Sequence, residues 1–412
     1  MRTLLCFLAV SLSAAEVTVE QVNKAIGLEL FADGNLWDDD AKAVAERLNW
    51  PQESETTNDA SYRLYPKDDY RIFECRPYSC SFLSDQNKPT SLSLMFANKG
   101  DSVSIGAKDV KDKAKAKARD EQIKDYKKAI ADDAKNLEEK LTKLFGKPTL
   151  GSIGNAQATR EVVRRWNWNG HAFLLAAPKD EYVALRILSA KSADEGGRSR
   201  VSDSELFARA KSRVEKRPNG DVILKDIPMV NQGPKGYCVP ATWERAMRYM
   251  GVPADMYVLA MAGQSGAGGG TSVVAIANGA KAAVTGAYRK IENVSMKVDP
   301  STVDKYIDQG LPIMWAMFST KQYNDIANGR TKERQGMTDP AAWKKAVADG
   351  RKGQKPLQPN RNEGHVCMIV GYNKQTGEVA VSDSWGPEYE ERWILGVEAT
   401  QVSQGTMTVI GF

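Results

Sequence analysis

Gln232-Gly233-Pro234-Lys235-Gly236-Tyr237-Cys238 runs directly into Val239-Pro240-Ala241-Thr242-Trp243-Glu244-Arg245-Ala246-Met247-Arg248-Tyr249-Met250-Gly251. Pro234 and the glycines mark the first part as a loop. The second part reads as a helix. Ala241, Arg245 and Arg248 favour it, Pro240 is tolerated only in a first turn, and Gly251 suits a left-handed cap. Cys238 therefore falls at a helix start. Unpaired backbone N–H groups and the helix dipole favour a thiolate there. A small buried cysteine gives the same local pattern, so the partners of Cys238 decide the reading.

Any imidazole chemistry must use His171 or His365, the only two histidines among 412 residues. His365 opens Gly364-His365-Val366-Cys367-Met368-Ile369-Val370-Gly371-Tyr372-Asn373, a dense apolar run of the kind that forms a buried strand. A turn follows. Val379-Ala380-Val381-Ser382-Asp383-Ser384-Trp385-Gly386 then reads as a second strand ending in a carboxylate. If the two strands pair antiparallel, Asp383 comes near His365 and can hold its tautomer and orientation. Cys367 shares a strand face with His365 and is expected to pack in the core.

In this order, a Gln-loop-Cys-helix, a His-led Val-Gly-Tyr strand and Asp-Ser-Trp-Gly resemble the papain superfamily of cysteine peptidases. Cys-x-Pro-Ala and the Tyr-Met-Gly helix end look closer to its double-glycine (bacteriocin-leader) peptidase branch. So does Asp383, where papain-type enzymes usually carry Asn. The resemblance spans about residues 221–412. It implies that Cys238 is the nucleophile, His365 the base, Asp383 its orienter and Gln232 an oxyanion donor beside the Cys238 N–H. Trp385 would shield the His–Asp hydrogen bond. Two features depart from the pattern. Val239 follows the nucleophile, where Gly or Trp is usual. A long polar insertion, residues 321–361, precedes the His strand. Asp339-Pro340 starts a short helix within it that ends near Gly350, and the insertion is either a surface loop or a lid.

Working outward, Gly263–Gly270 carries five glycines in eight residues. Gly268, Gly269 and Gly270 are candidates for a cleft wall that admits an extended peptide backbone; a flexible connector is the plain alternative. Thr271 is read as the cap of the next helix. Residues 216–220, Lys-Arg-Pro-Asn-Gly, break the chain before the second domain. Residues 191–220 read as a linker with a short helix capped by Ser202. Residues 16–190 read as a separate α+β domain, either a propeptide or a binding module. In it, residues 38–48 suggest a helix, while 62–65, 71–75, 78–83, 91–97, 161–175 and 181–188 suggest strands. Apolar residues at three- and four-residue spacing over 123–144 predict a helix, stopped by Gly146 and Pro148. The Lys/Ala tract before it reads as a solvated helix face.

Residues 1–15 read as a secretory signal peptide, with Arg2, the apolar run 4–12 and the small residues Ser13-Ala14-Ala15. Export to a periplasmic or extracellular space follows, together with a disulfide between Cys75 and Cys80. Cys6 would leave with the leader. A net charge of +5 is too mild for a nucleic-acid partner, and the apolar run is too short for stable membrane insertion. Two histidines argue against a His-rich metal site, and no cofactor is implied.

The fold class expected is therefore α+β, a C-terminal papain-like cysteine peptidase fold preceded by a separate α+β N-terminal domain. The function expected is a secreted thiol peptidase acting on a peptide or protein, with intramolecular regulation by the N-terminal domain as an option. An acyl transferase on the same triad and a catalytically silent binding protein on a peptidase fold are the alternatives. A Cys-His-His cell-wall amidase fits less well, because the third polar residue is Asp383.

Overall fold

The computed structural model describes residues 17–154, 156–197 and 201–412. The leader read at residues 1–15 lies outside them.

The first unit contains helices α1 (Val19–Ile26), α2 (Ala41–Leu48) and α3 (Lys113–Phe145). Its strands are β1 (Gln52–Glu55), β2 (Asp59–Leu64), β3 (Ser79–Asp85), β4 (Lys88–Asn98), β5 (Thr149–Ile153), β6 (Glu161–Trp168), β7 (His171–Ala176) and β8 (Tyr182–Ser189). They form one antiparallel sheet in the order β1-β2-β3-β4-β8-β7-β6-β5. The stripe read over 123–144 is the buried face of α3, with Tyr126, Ile130, Leu137 and Leu141 against the sheet. The Lys/Ala tract is its exposed first turns.

Two strand readings and the disulfide reading change. Residues 71–75 form a turn, with Phe73 and Glu74 at positive φ and one Ile72–Cys75 bridge. Residues 161–175 form a hairpin, because Asn169 and Gly170 both take positive φ, as a two-residue hairpin turn requires. No disulfide joins Cys75 and Cys80. Both thiols are free and buried, Cys75 in the turn and Cys80 as the second residue of β3.

Helices α4 (Ala190–Asp194) and α5 (Asp203–Ser212) lead to the second unit. Ser202 caps α5 as read, accepting from the Glu205 N–H. The second sheet starts earlier than expected, since β9 (Val214–Lys216) pairs with β10 (Val222–Leu224) across the Lys-Arg-Pro-Asn-Gly turn. Then come α6 (Cys238–Tyr249), α7 (Met256–Ala262), α8 (Val273–Gly286), β11 (Lys290–Val294), α9 (Pro300–Ile307) and β12 (Ile313–Phe318). The chain continues through α10 (Lys321–Glu333), α11 (Pro340–Gly350), β13 (Gly364–Asn373), β14 (Glu378–Ser382), β15 (Arg392–Leu395), α12 (Gly396–Val402) and β16 (Ser403–Gly411). Ser272, not Thr271, caps α8.

The second sheet runs β11-β16-β12-β13-β10-β9, with β14 between β13 and β15. Its centre is β13, which pairs antiparallel with β12, β10 and β14. Helix α6 packs on this sheet through Trp243, Ala246 and Met247 in the main core. A further core cluster joins the two units. Met95, Tyr182 and Ala184 of the first sheet pack with Val230, Tyr237, Ala241, Met256, Tyr257, Val258 and Ala260. The architecture is α+β throughout, and no described helix is long and apolar enough to cross a membrane.

Candidate active site

Cys238 is the first residue of α6, as the Pro240 placement required. It is partly exposed, between the buried Tyr237 and Val239. His365 is the second residue of β13 and is buried. Asp383 directly follows β14 and is almost fully enclosed. Met368 of β13 pairs with Ser382 of β14, so the antiparallel register sets Asp383 beside His365.

The contacts form a chain. The Cys238 thiol is hydrogen-bonded to His365. On the far side of the ring, His365 Nε2 meets Asp383 Oδ1 at 2.8 Å. The bond to the carboxylate fixes the proton on Nε2 and turns Nδ1 to the sulfur. The Trp385 ring lies against His365 with centroids 4.8 Å apart.

Burial pushes the Cys238 thiol up, but the hydrogen bond and charge of His365 outweigh it and leave the thiol below its usual value. For His365, burial pulls down, while Asp383 and Cys238 together raise it to about 9. Burial alone would raise the Asp383 carboxyl; His365 and Arg392 hold it below the usual carboxylate range. All three shifts favour a thiolate–imidazolium pair held by an ionised carboxylate.

Four bonds lock the segments that carry these groups. Thr242 Oγ1 of α6 donates to the Val366 carbonyl, 3.0 Å away and next to His365. The Gln232 N–H donates to the Ser384 carbonyl at 2.8 Å. Arg245, buried in α6, donates to the Pro228 carbonyl at 2.9 Å and to Ser382 Oγ at 2.6 Å.

Gln232 lies in the loop that leads to Cys238, with its Nε2 donating to the Lys235 carbonyl at 3.1 Å. One Nε2 hydrogen remains for an oxyanion. Its Oε1 is buried without a partner among the described residues. A flipped amide would set Oε1 against the Lys235 carbonyl, acceptor against acceptor, so the donor faces that side. The Cys238 N–H lies in the first turn of α6, where backbone donors have no partner inside the helix.

The glycine patch is an ordered joint. Gly269 bridges to Gly236, two residues before Cys238, and the Gly270 N–H donates to the Gly236 carbonyl at 3.1 Å. Gly268 instead faces the first unit, donating to the Lys99 carbonyl at 3.0 Å. Gly270 is exposed, and a side chain there would meet nothing within 4 Å.

The insertion divides. Its first part is α10, with Tyr323, Ala327 and Arg330 buried, rather than a loop. Asp339 caps α11 as read, and that helix buries no residue. Residues 352–363, leading to His365, are exposed apart from Leu357.

His171 belongs to the first unit, walled in by Phe31, Trp37 and Trp168, and takes no part. Cys367 is fully buried in the core. Among the described residues, no three His, Cys, Asp or Glu side chains gather as metal ligands would.

Sequence reading missed Arg392 and the structural use of Arg245. The signal for Arg392 was present, a single charge in the apolar strand Arg392-Trp393-Ile394-Leu395. A charge inside such a strand is buried only when paired.

Residues 224–401, less than half of the chain, match the Peptidase_C39 like family. The curated proteins contain no match. Among solved structures, the peptidase domain of Streptococcus ComA, described as a bi-functional ABC transporter involved in a quorum sensing pathway, is 14% identical. That alignment covers 45% of this chain and 98% of that one, with a TM-score of 0.29. By the family match, joined to the α+β architecture described above, residues 224–401 are similar to a family of papain-like cysteine peptidases.

Proposed function

We propose that this protein hydrolyses peptide bonds through the Cys238–His365–Asp383 triad, after the manner of the double-glycine peptidase branch. The observation that carries the reading is the continuous chain from the Cys238 thiol at the head of α6, through His365, to Asp383 at 2.8 Å. The Cys238 thiolate attacks the carbonyl carbon of an extended peptide. The resulting oxyanion takes hydrogen bonds from the Cys238 N–H and the free Nε2 hydrogen of Gln232. The imidazolium of His365 gives its proton to the departing amine, and a thioester remains. Water then attacks the thioester, His365 accepts its proton, and the carboxylic acid leaves as the thiol re-forms. Gly270 and Gly236 offer exposed backbone along which a peptide can lie. Export through the leader at residues 1–15 belongs to the same reading.

A peptide-library digest by the full chain, compared with Cys238→Ala, tests it. New cleavage products are expected with the wild type and none with the variant. Identical products from both, or none from the wild type over the whole library, would overturn the assignment.

A further inference from the structure

Asp383 does two jobs with two oxygens. Oδ1 holds His365, while Oδ2 accepts from Arg392 Nε at 3.1 Å and Nη2 at 2.5 Å. The side chains of Arg392 and Asp383 are 2% and 1% exposed. Arg392 has further anchors. Its Nη1 donates to Asn324 Oδ1 and Asn328 Oδ1, both at 3.0 Å, from one face of α10. Trp385, Tyr389 and Tyr323 ring the guanidinium at 5.1, 5.6 and 5.8 Å. Such a setting excludes water and locks the fork, which in turn fixes the carboxylate plane.

A bare buried carboxylate and a carboxylate paired with a guanidinium orient an imidazole equally well. They differ in charge. The bare group pulls strongly on the imidazolium, and the pair pulls weakly, because its net charge is zero. Papain-type enzymes usually carry a neutral Asn at this point of the motif. We propose that Arg392 is a positioning residue that takes up the charge of Asp383, so that His365 is oriented by a neutral Asp383–Arg392 pair. The inference rests on His365 being the partner of Cys238. The other titratable or charged groups around Asp383 are Cys367, Tyr323 and Arg245, and the charge of Arg245 also faces Glu390.

The test follows alkylation of Cys238 by iodoacetamide against pH in the full chain, read by peptide mapping, and requires no substrate. The alkaline inflexion reports loss of the imidazolium. Arg392→Gln keeps a hydrogen-bond donor and drops the charge, so the inflexion is expected to move to higher pH. Asp383→Asn leaves the guanidinium unpaired beside the ring, so the inflexion is expected to fall by about one unit or more. The double variant D383N/R392Q restores a neutral, mutually bonded pair. Its inflexion is expected to return to within about half a unit of wild type, with alkylation at pH 7 about tenfold faster than in D383N. Where a single variant fails to fold, the double variant, which carries no unpaired charge, still gives the comparison with wild type. A double variant that tracks D383N or lies a unit or more below wild type, or an unmoved inflexion in R392Q, overturns the role of Arg392. A wild-type profile of an ordinary thiol, unchanged by His365→Ala, instead brings down the Cys238–His365 pairing itself.

Discussion

At Cys238 two forces oppose each other, and the winner sets the chemistry. Burial penalises the thiolate, yet the contact with His365 holds the thiol below its usual value. The same contact, with Asp383, lifts His365 against its own burial to about 9. The sign follows. Below about 9 the imidazolium is present and can protonate the leaving amine; above it the proton is gone. Turnover of any cleaved peptide is therefore expected to hold through neutral pH and to fall as pH rises through about 9, measured as kcat/KM against pH. A profile already falling near the unperturbed histidine value of about 6.5 would contradict the geometry. Stability carries the same sign. The histidine contribution is complete below about 6.5 and is lost through about 9, because the folded value lies above the unfolded one. These residues were legible in the sequence because each stands at the edge of a recognisable element: Cys238 after a Gly-rich loop, His365 at the head of an apolar run, Asp383 at the end of another. Arg392 was not. Its meaning depends on a side chain nine residues away across a turn and on two asparagines in another helix.

The elements that hold the site were read unevenly, and burial explains the pattern. Helix α6 and strands β13 and β14 lie in the core, so their apolar runs show them plainly. Strand β1, Gln-Glu-Ser-Glu, carries no apolar residue, yet Glu53 and Ser54 are buried, because they bond the chain of the other unit. Helix α10 looked like part of a polar loop for a related reason, since its buried Arg330 is paired with Glu398. No pattern of hydrophobicity reveals elements that bury charge against charge. The glycine joint was visible as composition but not as geometry. Gly269 has φ +91°, and a Cβ there would lie 2.9 Å from the Cα and N of Gly236. Both the conformation and the contact are unfavourable for Ala. Gly269→Ala is expected to cost about 1–3 kcal/mol in chemical denaturation. It should also lower kcat more than it raises KM, because the displaced segment leads directly to Cys238. A variant with wild-type stability and kcat would show that the joint tolerates displacement.

Across the whole molecule, the junction between the two units decides whether the first is a removable propeptide or a permanent part of the enzyme. The loop before Cys238 is gripped from the N-terminal side. The Asn231 N–H donates to Glu53 at 2.7 Å, the Met229 N–H to Ser54 at 2.9 Å, and Tyr65 donates its hydroxyl to the Asn231 carbonyl. Tyr237, immediately before Cys238, inserts its ring over Gly100 and donates its hydroxyl to Asn98 at 3.0 Å. A Cβ on Gly100 would fall 1.8 Å from that hydroxyl, a contact no side chain permits. Behind the loop, Arg186 bridges Glu161 of its own sheet and Asp255 of the second unit. Each large apolar side chain in the shared cluster contributes about 1.5–3 kcal/mol by its burial. Separation would expose Tyr237, Met256, Tyr257 and Val258 together, a loss comparable to the whole stability of an ordinary domain of about 5–15 kcal/mol. The first unit is therefore expected to be permanent. A chain beginning at residue 201 should unfold at far lower denaturant than the full chain and should alkylate at Cys238 like an ordinary thiol. Gly100→Ala, which keeps every other contact, should reproduce a milder form of the same defect by displacing Tyr237. If the shortened chain instead folds and keeps a reactive Cys238, the loop needs no outside grip and the N-terminal unit is a propeptide after all.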